Sequence, residues 1–76
     1  MKLREFKIND KMQIIGFECS GRQYRQKLLS MGLIKGVVFT LNRVAPLGDP
    51  VEISLNSSKL SLRKGEADAL IVKAVN

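Results

Sequence analysis

Histidine and tryptophan are absent from this 76-residue sequence, and cysteine occurs once, as Cys19. Each absence removes a class of chemistry. Without imidazole, Cys19 and the serines have no histidine base to activate them, which excludes a nucleophilic triad. Paired carboxylates at a spacing suited to general acid and base work are missing as well. The stretch "GLIKG", Gly32 to Gly36, lacks the second half of a phosphate-cradling P-loop. One cysteine cannot close an internal disulfide, and "MKLREFKIND" puts charges where a signal peptide needs an apolar run, so a reducing cytoplasm is the expected setting. Apolar runs such as "GVVF" and "ALIV" fall far short of the roughly 20 residues that span a bilayer. Aromatics are scarce: Phe6, Phe17, Tyr24 and Phe39 must supply the core before they could line a groove for proline-rich peptides. These absences leave a binding module, not an enzyme, with no cofactor and no resident metal.

What is present fits one small folded unit. Hydrophobic residues make up 45% and charged residues 26% of the chain, an ordinary globular balance, and the length allows a single core without a cleft between lobes. Residues 1–76 therefore read as one domain. Thirteen Lys and Arg against seven Asp and Glu give a net charge of +6, which invites the alternative of a small basic β-barrel that binds nucleic acid. The cations do not form a stripe, however: Lys2, Lys11, Arg22, Lys35, Arg43, Lys59 and Lys73 are scattered along the chain, and few aromatics are free for base stacking. A solvated basic surface, or a face drawn to an acidic protein or an anionic leaflet, accounts for the charge better. Nucleic acid is not the expected partner.

Local patterns place the elements. "MQIIGF", Met12 to Phe17, reads as a strand in which Gly16 marks a bulge or bend. In "SGRQYRQKLLSMGL", Ser20 stands three residues before Gln23, the spacing of a capping box, and Tyr24, Leu28 and Met31 recur on one stripe before Gly32, the expected left-handed C-terminal residue. A helix is predicted over residues 20–31. Four more strands follow, at Val37–Ala45, Val51–Leu55, Lys59–Arg63 and Ala69–Val75, with the cleanest alternation where Val51, Ile53 and Leu55 point one way and Glu52 and Ser54 the other. Five short strands in so few residues must manage their open edges, and a partly closed antiparallel barrel does so. The expected fold is β-dominated with one or two short helices: a small five-stranded SH3-like barrel, with a cap helix after the first strand that buries Tyr24 and Met31. An OB-fold is the competitor, although its helix would come later in the strand order.

The segment "RVAPLGDPVEI", Arg43 to Ile53, is the most shaped part of the chain. Ala45 and Asp49 each precede a proline and are kept extended, which confines the bend to Pro46, Leu47, Gly48 and Asp49. Proline presets φ, glycine accepts positive φ, and aspartate can accept from nearby N–H groups, so the tip is stiff. Leu47 either packs back onto its own hairpin or is held out for a partner. Leu28 and Leu29 raise the same question on the helix, since neighbours about 100° apart fit one narrow stripe poorly. A wide apolar arc buries both, or one is exposed and forms a contact patch with Leu47, Arg22 and Arg25. Glu18 beside Cys19, and Glu66 near Asp68, could lend a metal ligand or two; solvated carboxylates and a buried or half-buried thiol are the expected reading.

Three blocks in order, "YRQKLLSMGLIKG", "NRVAPLGDPVEI" and "LSLRKGEADALIV", resemble the FeoA family of small ferrous-iron transport proteins over nearly the whole chain. The resemblance implies an SH3-like fold, a cytoplasmic location and a role beside FeoB, the membrane permease with a cytosolic GTPase domain. Members of that family often carry proline where this chain has Lys35, a departure that bears on the stiffness of one turn. Together with the absence of histidine, it implies a non-enzymatic accessory of ferrous-iron uptake. Such a protein would bind the cytosolic part of the permease, reach the membrane only through it, and modulate its assembly or GTPase-linked transport. The expected contact residues are Arg22, Arg25, Leu28, Leu29, Pro46, Leu47, Gly48 and Asp49, and self-association through an exposed leucine or a hairpin edge stays open.

Overall fold

The computed structural model describes residues 1–75, with the side chain of Ser20 outside the described parts. A 3₁₀ turn at Leu3–Glu5 leads into strand β1 (Lys11–Phe17), a second 3₁₀ turn (Cys19–Gly21) and helix α1 (Arg22–Ser30). Then come β2 (Val38–Val44), β3 (Val51–Leu55), β4 (Ser58–Leu62), a short helix α2 (Lys64–Asp68) and β5 (Leu70–Ala74). The strands form one antiparallel sheet in the order β4-β3-β2-β1-β5. It wraps a single core in a body of 27 × 26 × 22 Å, the expected SH3-like arrangement with its cap helix between the first two strands.

Alternation decides which side chains meet inside. Met12 and Ile14, Phe39 and Leu41, Val51 and Ile53, and Leu70 and Val72 all turn inward from their strands and are buried together. A register shift between Ile14 and Gly16 in the β1–β5 pairing is the bulge expected at Gly16. The outer edge of β5 is not left bare: the Met1 carbonyl accepts from the Val72 N–H at 2.9 Å, and Lys2 bridges to Ile71. That pairing also seats Leu3 in the core, so the charged N-terminal decapeptide hides one fully buried residue.

Helix α1 ends as its sequence requires. Leu33 N–H donates to the Leu28 carbonyl at 3.0 Å and Gly32 N–H to the Leu29 carbonyl at 3.0 Å, with Gly32 at φ +89, which is a Schellman motif. Leu28 and Leu33, the two residues such a motif brings together, are both wholly buried. The start differs from expectation: Gly21 is the N-terminal cap and Ser20 lies within the preceding 3₁₀ turn, so the helix spans residues 22–30 instead of 20–31. The capping role expected of the Ser20 side chain lies outside the described parts. The turn is drawn inward because Glu18 N–H donates to the Ala69 carbonyl at 2.8 Å, and Gly21 fits so closely that a Cβ there would lie 2.6 Å from that of Ala69. Tyr24 and Met31 pack on the core half-buried, while Leu28 is the one α1 side chain buried completely.

Candidate docking surface beside the β2–β3 loop

The loop between β2 and β3 is built as its residues dictate. Gly48 N–H donates to the Ala45 carbonyl at 2.7 Å to close a turn over Pro46 and Leu47, Gly48 takes φ +82, and Ala45 N–H donates to the Pro50 carbonyl at 3.1 Å. Asp49 does not bond within its own loop. Its Oδ1 accepts from the Lys64 N–H at 3.1 Å and ties the loop to the first residue of α2. Held at both ends, the turn carries Leu47 outward with 92% of its surface exposed. Of the two outcomes open for this leucine, packing back is not the one adopted.

Beside Leu47 lies a cleft of about 200 Å³, lined by Leu3 and Arg4 from the first 3₁₀ turn, Val44, Gly48 and Val51 from the hairpin, and Lys64, Ala67 and Asp68 from α2. Leu3, Val51 and Ala67 are buried and form an apolar floor, while Val44 is 40% exposed on the wall. The rim is charged. Arg4 Nη1 stands 3.7 Å from Asp68 Oδ2, and no carboxylate lies within salt-bridge reach of the Lys64 ammonium among the described residues.

A second depression, lined by Lys27, Asp49, Pro50, Ser61, Leu62, Arg63 and Glu66, runs between α1 and the loop. Glu66 is only 3% exposed, contrary to the expectation of a solvated carboxylate. It turns inward because Oε1 accepts from the Arg63 N–H at 3.0 Å, satisfying the start of α2, and Oε2 takes the Lys27 ammonium at 2.6 Å. Burial pushes its pKa up, but the Lys27 hydrogen bond, the Arg63 N–H and the two nearby positive charges outweigh it, and the net shift is downward. Cys19, expected to be at least half-buried, is exposed, since it opens a turn whose inward residue is Gly21. Among the described residues no three His, Cys, Asp or Glu side chains come together as a metal site would need.

The eight residues expected to contact a partner do not all share one surface. Leu28 is wholly buried under α1 and is not available to a partner, a correction that follows from its position at the centre of the helix stripe. Leu29, its neighbour, is 38% exposed, so the pair divides one in and one out. Arg25 lies over the Phe17 ring at 5.4 Å, and Arg22, Arg25 and Leu29 line neither depression. Leu47 and Gly48 line the cleft, Asp49 lines the second depression, and Pro46 is exposed at the turn. The floor and rim residues Leu3, Arg4, Lys64 and Ala67 carry no joint signal in the sequence, because the two ends of the chain that supply them are gathered only by the N-terminal pairing and by α2.

Comparison with known proteins gives a consistent result. The family model described as the FeoA domain matches residues 1–74. A curated relative, the Fe(2+) transport protein A/Fe(2+) transporter FeoB fusion protein of Porphyromonas gingivalis, is 32% identical over 76 residues; the match covers all of this chain and 9% of the relative. The NMR structure of the FeoA-like protein from Clostridium acetobutylicum superposes with a TM-score of 0.88 at 33% identity, covering 100% of this chain and 87% of the other. The solution structure of iron(II) transport protein A from Clostridium thermocellum gives 0.86 at 36% identity, over 99% of this chain and 46% of that one. At the level of fold alone, the zinc complex of FeoA from Stenotrophomonas maltophilia, described as a prokaryotic SH3 domain protein, gives 0.78 at 20% identity over 96% of this chain and 89% of its own.

Proposed function

Because the chain belongs to the FeoA domain family, we propose that it is a non-enzymatic accessory of ferrous-iron uptake that binds the cytosolic part of a FeoB-type permease and modulates its assembly or GTPase-linked transport. The observation that carries this reading is the fusion relative, in which a stretch 32% identical to the whole of this chain is part of one polypeptide named for both the transport protein and the transporter. Two proteins joined in one chain in one organism commonly act side by side when separate in another. The geometry is compatible: a stiff loop presents one leucine at 92% exposure beside an apolar-floored cleft, and loops positioned by a rigid scaffold are where binding residues concentrate. The Pro46–Asp49 loop is the proposed centre of contact, with Arg22, Arg25 and Leu29 on α1 as a flanking surface.

Titration of isotope-labelled protein with the purified cytosolic portion of its permease, with and without a GTP analogue, tests the reading. Amide shifts are expected at residues 46–49 and along α1. Unchanged spectra in every nucleotide state would overturn docking on that portion.

A further inference from the structure

We infer that the cleft beside Leu47 is a docking site for an acidic segment of another protein, which inserts one apolar side chain between Leu47 and Val44 and places a carboxylate against Lys64 and Arg4. The inference rests on the docking reading above and states what chemistry the partner must bring. Size comes first. At about 200 Å³ the cleft is below the roughly 300–1,000 Å³ of sites that hold cofactors or drug-sized ligands, and it suits a side chain or two.

Charge decides the rest. All seven carboxylates are engaged inside the fold: Glu5 with the Lys2 N–H, Asp10 with the Lys7 N–H, Glu18 with Lys2, Asp49 with the Lys64 N–H, Glu52 with Asn42, Glu66 with Lys27, and Asp68 with Arg4. Of the thirteen cations, Lys2, Arg4 and Lys27 alone have a carboxylate within 4.0 Å among the described residues. Among the residues lining the cleft, Arg4 and Lys64 face the single anion Asp68, and Lys64 has no carboxylate within 4.0 Å of its ammonium among the described residues, so the rim carries one positive charge in surplus. Its one internal partner is loosely held: 3.7 Å between Arg4 and Asp68 is long for a charge-assisted hydrogen bond of about 2.7–2.9 Å, and the Arg4 side chain is 64% exposed, free to turn to an incoming carboxylate.

Other occupants fit less well. A second copy brings the same net charge of +6, so two copies repel at this rim. A bare anion could meet Lys64 and Arg4 but would leave the apolar floor of Leu3, Val51 and Ala67 unfilled. A lipid surface is planar and would leave the apolar floor of Leu3, Val51 and Ala67 unfilled.

The test is the affinity of the full chain for its full-length permease in detergent, for the wild type and the variants Lys64→Glu, Leu47→Ser and, as a control outside the proposed contact surface, Ile34→Ser at a residue 49% exposed. Amide spectra verify that each variant keeps the fold. Lys64→Glu and Leu47→Ser are expected to weaken binding by about tenfold or more, with Ile34→Ser within about twofold and wild-type affinity falling as salt rises. Wild-type affinity retained in both cleft variants overturns the inference and moves the contact off the Pro46–Asp49 loop, while binding to the permease itself stands. No binding by the wild type overturns both. A dimer in sedimentation that Leu47→Ser abolishes, or co-sedimentation with phosphatidylglycerol vesicles lost in the same variant, assigns the cleft to a second copy or to lipid and overturns the inference as well.

Discussion

Glu66 shows how much one side chain can tie together: from within α2 it satisfies the Arg63 N–H and grips Lys27 of α1, with 3% of its surface exposed. Its pKa is lowered from the ordinary 4.5, against the opposing effect of burial. A carboxyl whose folded pKa lies below its unfolded value contributes stability above the unfolded value and loses it as pH falls through the folded one. Unfolding stability should therefore decline as the pH drops below about 4.5, and Glu66→Gln should flatten that decline in urea titrations at successive pH values. At neutral pH, Glu66→Ala should cost about 1–3 kcal/mol, the range for losing hydrogen bonds that involve a charged group, with the exposed Lys27 adding little. Gly21 is constrained in a different way. A methyl group there would sit 2.6 Å from Ala69 Cβ and 3.1 Å from its Cα, where backbone must move. Gly21→Ala is accordingly expected to destabilise by about 1–3 kcal/mol and to lower the thermal midpoint.

At the scale of elements, α1 offers the sharpest contrast. Leu28 is wholly buried and Leu29 is 38% exposed, so Leu28→Ala should cost about 2–5 kcal/mol and Leu29→Ala about 0.5 or less in chemical denaturation. Equal costs would mean that the helix packs by a wider arc. The same elements show what sequence makes legible. Strand β3 is readable to the residue because Val51, Ile53 and Leu55 alternate with polar neighbours, and the end of α1 is readable because Gly32 alone can take φ +89 there without strain. The start of α1 is not. The Ser20-to-Gln23 spacing points to a start at residue 20, yet Gly21, in close contact with Ala69, is the N-terminal cap and the helix begins at Arg22. Helix α2 is five residues long, shorter than any periodicity can reveal, and Gly65 reads as a breaker although it packs under Tyr24, whose hydroxyl would lie 2.6 Å from a Cβ at that position. The candidate docking surface is half legible for a related reason: the proline and glycine pattern marks the loop, but the cleft beside it is assembled from α2 and the N-terminal turn.

For the whole molecule, the distribution of charge matters more than its total. Seven carboxylates are spent on capping, cross-linking and pairing within the fold, and most of the thirteen cations have no counterpart within 4.0 Å among the described residues. The folded state therefore holds uncompensated like charges closer together than the unfolded chain does, and self-repulsion opposes folding. Raising ionic strength from about 0.01 to about 0.15 M shortens the screening length from roughly 30 to roughly 8 Å, longer than the reach of the ion pairs but comparable with the spacing of surface cations. Repulsion is screened more than the pairs are, so the thermal midpoint should rise over that range. A midpoint that falls would show that the Lys2, Arg4 and Lys27 pairs contribute more than the remaining cations take away. Partner binding through the basic rim, as inferred above, should respond with the opposite sign, because salt screens an attraction there. Measured side by side on one preparation, stability that rises and affinity that falls with salt would locate the surplus charge on the binding surface, since a charge set that served only solubility would move the first quantity and leave the second unchanged.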